Sequence, residues 1–152
     1  MDQTYRIFTD GSAIGNPGPG GWGVVVIQGK ERFEISGAHP WTDISEMELV
    51  AAVRALRSVD GRTRIELHSD SEYLIYGMRA FVSRWQRHGW RNRRGSELHH
   101  RALWEELIAL NARLRIRWTW IRGHNGHPDQ NRADTLAYQA ARTLWVRGKA
   151  AA

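Results

Sequence analysis

Tyr5-Arg6-Ile7-Phe8-Thr9-Asp10-Gly11-Ser12 is the stretch around which the rest of the chain is organised. Its β-branched and aromatic residues are typical of a short β-strand, and that strand stops on the carboxylate of Asp10. Ligand and catalytic residues of open α/β sheets lie at such strand ends. Because Asp-Gly is also a common turn dipeptide, Asp10 alone favours a turn, and the remaining sequence has to decide.

Length and composition suit one globular domain. The chain has 152 residues, of which 41% are hydrophobic and none is cysteine, so disulfides and thiolate metal sites are excluded. No apolar run approaches the roughly 20 residues of a membrane span, and no signal peptide precedes the first strand. We therefore expect a cytoplasmic protein without membrane association.

The order of elements predicts an α/β fold. Residues 22–27 and 32–36 follow the first strand as a meander, because the glycine-rich loop 15–21 leads into a strand and not into the helix that a dinucleotide site needs. A helix then connects to a strand at 64–70, and this crossover favours parallel pairing that places Asp70 beside Asp10. A fifth strand covers 115–121.

Apolar stripes at helical spacing mark the flanking helices. Gly77 is expected to divide the stripe after Asp70 into two short helices, and the chain from Val146 is expected to be a short frayed tail. We predict one domain, 1–152, with a five-stranded mixed sheet (three antiparallel strands, then parallel strands) flanked by helices.

The segment 79–95 is strongly basic. The formal net charge is +6, nearly all the basic residues are arginines, and this segment contains six of them without a single acid. Trp85 and Trp90 are interleaved with these arginines. Guanidinium groups and aromatic faces together suit a nucleic-acid backbone, whereas an ordinary exposed helix usually mixes both signs of charge.

Four carboxylates share a position at a strand end or beside an apolar stripe: Asp10, Glu48, Asp70 and Asp134. If they converge, like charges disfavour one another unless cations lie between them. Oxygen ligands select hard ions such as Mg²⁺ or Mn²⁺, and two ions about 4 Å apart can promote phosphodiester hydrolysis. Taken alone, Glu48 favours the interpretation as a solvated helix residue or a cap partner. Zinc binding by His124 and His127 is only weakly indicated.

The chain resembles bacterial ribonuclease HI over about residues 4 to 145. The shared pieces are 8–12, the glycine loop 15–21, Met47-Glu48-Leu49, Ser69-Asp70-Ser71, the histidine loop 123–128 and Asp134. The resemblance implies a monomeric endoribonuclease that cuts the RNA strand of RNA/DNA hybrids, largely independently of sequence, and leaves 3′-hydroxyl and 5′-phosphate ends. It also implies two Mg²⁺ ions, with Mn²⁺ as a possible substitute.

The same resemblance implies roles for individual residues. The four carboxylates would be metal-binding catalytic acids, and His124 would help to shuttle protons or release product. The protrusion 79–95 would grip the DNA strand, and Asn16 with the glycine loop would contact the 2′-hydroxyl that distinguishes RNA. The expected substrate contacts are Ser12, Asn16, Glu72, Trp85, Arg87, Trp90, Arg91 and Arg93.

The sequence departs from the family pattern at Asp43-Ile44-Ser45, where Thr-Asn-Asn is usual, at Glu72, where Gln is common, and at Asn125, where a small residue is usual. We expect these changes to alter affinity and groove contacts more than chemistry. Two alternatives are a non-catalytic hybrid-binding module and another nuclease of the same fold, such as a junction resolvase or a 3′–5′ exonuclease.

Overall fold

A five-stranded sheet forms the centre of the protein, in a computed structural model that describes residues 3–151. The strands are β1 (Tyr5–Ala13), β2 (Gly18–Gln28), β3 (Glu31–Thr42), β4 (Arg64–Ser69) and β5 (Arg115–Trp120). They lie in the order β3-β2-β1-β4-β5, with antiparallel pairing among the first three and parallel pairing from β1 to β4 and β4 to β5. The predicted mixed sheet is confirmed. Met1, Asp2 and Ala152, which the predicted domain includes, lie outside the described residues.

Helices cover both faces of this sheet. They are α1 (Ile44–Arg57), α2 (Glu72–Tyr76), α3 (Val82–Arg87), α4 (Arg101–Arg113) and α5 (Pro128–Ala151). Successive strand residues point to opposite faces. Accordingly, Ile7 joins the core shared with α1 and α4, while Phe8 joins a smaller cluster with Ala133 of α5. Both residues are fully buried, because β1 is covered on both faces of the sheet.

Gly77 marks the predicted division into two short α-helices, because α2 ends at Tyr76 and α3 begins at Val82. A π-helical turn, Gly77–Phe81, joins α2 to α3 without a break. A Cβ atom at residue 77 would collide with the indole ring of the fully buried Trp104. Glycine is therefore needed here for close packing between the helix and α4.

Two strands are longer than predicted. β2 begins at Gly18 and β3 continues to Thr42, so much of the glycine-rich segment is strand and not loop. A Cβ atom on Gly21 would lie 2.7 Å from the backbone nitrogen of Ala141, and one on Gly23 would lie 2.9 Å from that of Ala137. These glycines let α5 pack directly on the backbone of β2.

The prediction of a frayed tail from Val146 is wrong, because α5 continues to Ala151. This last part contains no proline, and the Lys149 ammonium lies 4.3 Å from the centre of the Trp145 ring, one helical turn earlier. Among residues 3–151, none of the helices combines the length and the apolar character that crossing a membrane requires.

Candidate active site

The register between β1 and β4 brings Asp10 and Asp70 together. Phe8 is paired with His68, and their rings stack with centres 4.7 Å apart. Asp10 and Asp70 each follow two residues later, so their side chains leave the sheet on the same side. Asp10 is only 5% exposed, and Asp70 is half-buried. The predicted proximity of these two acids is confirmed.

Glu48 reaches Asp10 because α1 lies directly on β1. A Cβ atom on Gly11 would be 2.5 Å from the backbone nitrogen of Glu48, so only glycine permits this approach. Glu48 is 6% exposed, which excludes the reading as a solvated helix residue. Asp10, Glu48 and Asp70 each offer one oxygen, and these three oxygens lie within 4.8 Å of one another.

Asp134 is held nearby by α5 but is not a member of this tight group among the residues that the structure describes. It is half-buried, and its charge contributes to raising the pKa of both Asp10 and Asp70. One turn earlier, the buried Gln130 donates from its amide to the backbone carbonyl of Thr9 at 3.0 Å. This bond ties the start of α5 to β1 beside Asp10.

The sequence interpretation missed Gln130 as a positioning residue. A signal was present: Gln130 is the one polar side chain on the otherwise apolar stripe that continues through Ala133, Ala137 and Ala141.

His124 lies on the exposed turn between β5 and α5, with a left-handed backbone (φ 54°). A Cβ atom at Gly123 would collide with the carboxylate of Asp70, so this turn passes directly over the carboxylate cluster. Burial raises the pKa of Asp70, and the neighbouring Asp134 adds to that rise, whereas His124 opposes it. The structure therefore places His124 within electrostatic reach of Asp70.

Burial and mutual repulsion disfavour ionisation throughout the cluster. Burial raises the pKa of Asp10 to about 7, with further contributions from the charges of Asp70 and Asp134. Burial also raises the pKa of Glu48 well above its usual range, and the charge of Asp10 adds to this. Oε2 of Glu48 is buried and has no hydrogen-bond partner among residues 3–151. An all-oxygen donor set with an unpaired carboxylate oxygen fits a hard divalent cation.

Three of the predicted substrate contacts surround this cluster. Glu72 is exposed in the first turn of α2, directly after Asp70, and Ser12 is half-buried at the end of β1. The side-chain oxygen of Asn16 accepts from the backbone N–H of Ile44 at 2.9 Å. That bond joins the glycine loop to α1 and leaves the exposed amide nitrogen of Asn16 for another partner.

The departure at Asp43 has a local structural role. One of its carboxylate oxygens accepts from the backbone N–H of Glu46 at 2.7 Å and caps the start of α1. Its other oxygen lies 3.7 Å from Nε2 of His100.

The basic segment 79–95 borders a cavity of about 750 Å³, with Trp85 and Arg93 among its lining residues. Arg91 also lines it and donates to the backbone carbonyl of Gly95 at 2.8 Å. Arg87 is exposed. These positions agree with a surface for an anionic polymer.

The prediction that Trp90 offers its ring to substrate is wrong. Trp90 is 6% exposed and belongs to the main core, with the Arg101 guanidinium 5.7 Å from its ring centre. The backbone at Trp90 is left-handed (φ 61°), at the point where the segment turns back toward the core. The residues next to Trp90 in the sequence are exposed, and Trp85 is half-buried. The sequence pattern therefore did not distinguish Trp90 from Trp85.

Comparison with known proteins adds independent information. The RNase H family model matches residues 2–142. A protein of Erythrobacter litoralis (strain HTCC2594) called Ribonuclease H is 43% identical over 139 residues, which are 91% of this chain and 96% of that protein. LC9-RNase H1, described as a type 1 RNase H with the type 2 active-site motif, superposes with a TM-score of 0.82 at 30% identity, covering 95% of this chain and 74% of that one. LC11-RNase H1, solved in complex with RNA/DNA hybrid, has a TM-score of 0.72 at 23% identity, covering 93% and 99%.

Proposed function

The chain belongs to the ribonuclease H family of endoribonucleases, and on that premise we propose that it hydrolyses the RNA strand of RNA/DNA hybrids by two-metal-ion catalysis. The products would carry 3′-hydroxyl and 5′-phosphate ends. The observation that carries this proposal is the convergence, within 4.8 Å, of one carboxylate oxygen each from the buried Asp10 and Glu48 and the half-buried Asp70.

The proposed cofactor is Mg²⁺, with Mn²⁺ as a substitute. Asp10, Glu48 and Asp70 would hold it, with Asp134 at the margin of the cluster. When bound there, the ions would supply a water molecule of lowered pKa and positive charge beside the leaving oxygen. The carboxylates would position the ions. The positive charge of the ions would in turn stabilise the ionised carboxylates, which lose contact with water on burial.

His124 is proposed to accept a proton or assist product release. Its exposure on a turn above Asp70 gives it access to both the cluster and solvent. An imidazole is suited to this task because its ordinary pKa is near 6.5, so it exchanges protons near neutral pH.

Strand choice is proposed to depend on the 2′-hydroxyl of RNA, contacted by the amide of Asn16 and by the backbone of the glycine loop, with Ser12 and Glu72 beside them. The arginines and Trp85 of segment 79–95 would hold the DNA strand through its phosphates, without reading bases. A neighbour of the same fold, LC11-RNase H1, was solved with such a hybrid. We further propose that the protein acts in the cytoplasm as a monomer.

The test compares RNA/DNA, RNA/RNA and DNA/DNA duplexes with Mg²⁺, with Mn²⁺ and with EDTA. We expect cleavage only of the RNA strand of the hybrid, its loss in EDTA, and its loss in Asp10→Asn without loss of folding. Asp60→Asn, an exposed carboxylate beyond the far end of α1, is the matched control and should cleave normally.

Other outcomes would identify the alternatives. Hybrid binding without cleavage would favour a non-catalytic module, and cutting only from strand ends of internally labelled substrate would favour an exonuclease. Normal turnover by Asp10→Asn would contradict the proposed role of the carboxylates.

A further inference from the structure

The distal half of α5 is a second stretch that carries basic residues and no acid. Asp134 is the last acidic residue in the sequence, and Arg142, Arg147 and Lys149 follow it. The family match ends at residue 142, whereas α5 continues as helix to Ala151. This chain therefore extends a basic helix beyond the part that it shares with the family model.

One side of the C-terminal half of α5 faces the end of β1. Tyr138, Arg142 and Trp145 of α5 border a cavity of about 430 Å³, opposite residues 12–14. We call these three α5 side chains the distal α5 face. Tyr138 is 47% exposed, and Arg142 is exposed and forms no ion pair with any residue from 3 to 151.

Helical geometry aligns this face with the carboxylate cluster. Tyr138, Arg142 and Trp145 follow Asp134 at intervals of four, four and three residues, which keeps them on one side of the helix. Arg142 lies about 12 Å along the axis from Asp134, at 1.5 Å per residue. That distance corresponds to about three or four nucleotides of one strand, whose charges are spaced about 3.4 Å apart.

We propose that the distal α5 face is a second binding subsite for the RNA strand of the hybrid, three or four nucleotides from the phosphate that is cut. The Arg142 guanidinium binds a phosphate of that strand, and the rings of Tyr138 and Trp145 provide apolar surfaces for a sugar or a base. This inference rests on the proposed function, because it assumes that a hybrid is the substrate.

The two faces of the sheet explain the choice of the RNA strand. The basic segment 79–95 packs on the core of the α1 and α4 face through Trp85 and Trp90, whereas α5 covers the opposite face. Glu48 comes from α1 on one face and Asp134 from α5 on the other, so we infer that the carboxylates lie between these two basic surfaces. A duplex placed across the cluster would present one strand to each surface, and the cavity at the distal α5 face adjoins Ser12, at the strand end where the RNA contacts are proposed.

The test uses two arginines of the same helix. Arg142→Gln removes the proposed phosphate contact, and Arg147→Gln removes the same charge from the opposite side of α5, since five residues rotate a helix by more than a third of a turn. We expect Arg142→Gln to raise KM about 3- to 10-fold and to reduce the slope of log KM against log salt by about 1, with little change in kcat. Arg147→Gln should change KM and the salt slope less than Arg142→Gln does.

Substrate length separates the RNA strand from the DNA strand. Kinetics are measured on hybrids with one defined cleavage site, in which the RNA is shortened to two nucleotides beyond that site on its 5′ or its 3′ side. We expect one of these truncations to eliminate the difference between wild type and Arg142→Gln. Shortening the DNA strand alone should preserve it. Tyr138→Ala, at an exposed position, should also differ from wild type on full-length hybrid, and the same RNA truncation should eliminate that difference.

The results distinguish this inference from the proposed function. If wild type does not cut hybrid at all, the proposed function fails first. If wild type cuts hybrid but Arg142→Gln matches Arg147→Gln, or if only DNA truncation removes the Arg142 effect, the distal α5 face is not an RNA subsite. Equal melting temperatures of the variants exclude misfolding as the cause.

Discussion

At the scale of the residue, the carboxylates of the cluster work against folding when no cation is present. Burial and neighbouring charge raise the pKa of Asp10 to about 7 and that of Glu48 well above its usual range. Both are held beside each other by backbone contacts that do not depend on their charge, notably the close approach of Gly11 to Glu48. The carboxylate cluster that serves function therefore lowers the stability of the metal-free protein.

The raised pKa of Asp10 predicts that the stability of the protein depends on pH in an unusual way. A carboxyl whose pKa is raised on folding binds more protons in the folded state, so the free energy of unfolding falls as pH rises from about 4, near its unfolded pKa, to about 7, its folded pKa. We expect the metal-free protein to lose stability on the order of a few kcal/mol across this window through Asp10.

Thermal melts in EDTA, at steps between pH 4 and 8, check this prediction. Asp10→Asn should be more stable than wild type at pH 7 to 8, and the difference should shrink toward pH 4. Added Mg²⁺ should stabilise wild type and have less effect on the variant. A constant difference at all pH values would contradict the raised pKa of Asp10.

At the scale of the element, the site depends on how closely helices approach the sheet. Gly11 admits α1, Gly21 and Gly23 admit α5, and Gly123 admits the histidine turn over Asp70. Gly11, Gly21 and Gly23 are thus contacts between backbones that bring an acidic side chain into the cluster or secure the helix that carries one, whereas Gly123 makes room for the Asp70 carboxylate itself.

Gly11→Ala tests this dependence. Its methyl group would lie 2.5 Å from the backbone nitrogen of Glu48, so α1 must shift. We expect a loss of about 1–3 kcal/mol in unfolding free energy, and up to about a 100-fold loss of kcat/KM because Glu48 is displaced. Denaturant unfolding and hybrid cleavage measure the two effects.

Gly148→Ala is the control for Gly11→Ala. Residue 148 is helical and has open space around its Cβ position, so alanine should leave cleavage unchanged and stabilise α5 slightly. Normal cleavage by Gly11→Ala would show that α1 need not touch β1 for activity.

The same glycines explain what the sequence could and could not predict about elements. Strand order and pairing followed from apolar patterns and crossovers, and they are confirmed. The start of β2 at Gly18 and the π-helical turn that begins at Gly77 were missed, because glycine is also typical of loops and helix ends. Only the partner that packs against each glycine, α5 or Trp104, identifies its role.

At the scale of the whole molecule, the acids were predictable because strand register and helix stripes place them without knowledge of loops. Asp10, Glu48 and Asp70 converge as expected. Trp90 was not predictable, since its burial results from a turn within segment 79–95 that returns the ring to the core. Where a side chain lies in a loop depends on tertiary contacts that no periodicity reveals.

The distribution of arginines over the molecule gives the last prediction. Replacing Arg87, Arg91 and Arg93 by glutamine should raise KM for hybrid, spare kcat, and reduce the slope of log KM against log salt by up to about 3, because each lost phosphate contact removes about one released counterion. A control triple at the opposite end of the sheet, Arg64, Arg115 and Arg117, removes the same total charge. Steady-state kinetics from 50 to about 300 mM salt compare the two. Equal slopes for both triples would mean that net charge, and not the position of segment 79–95, attracts the hybrid.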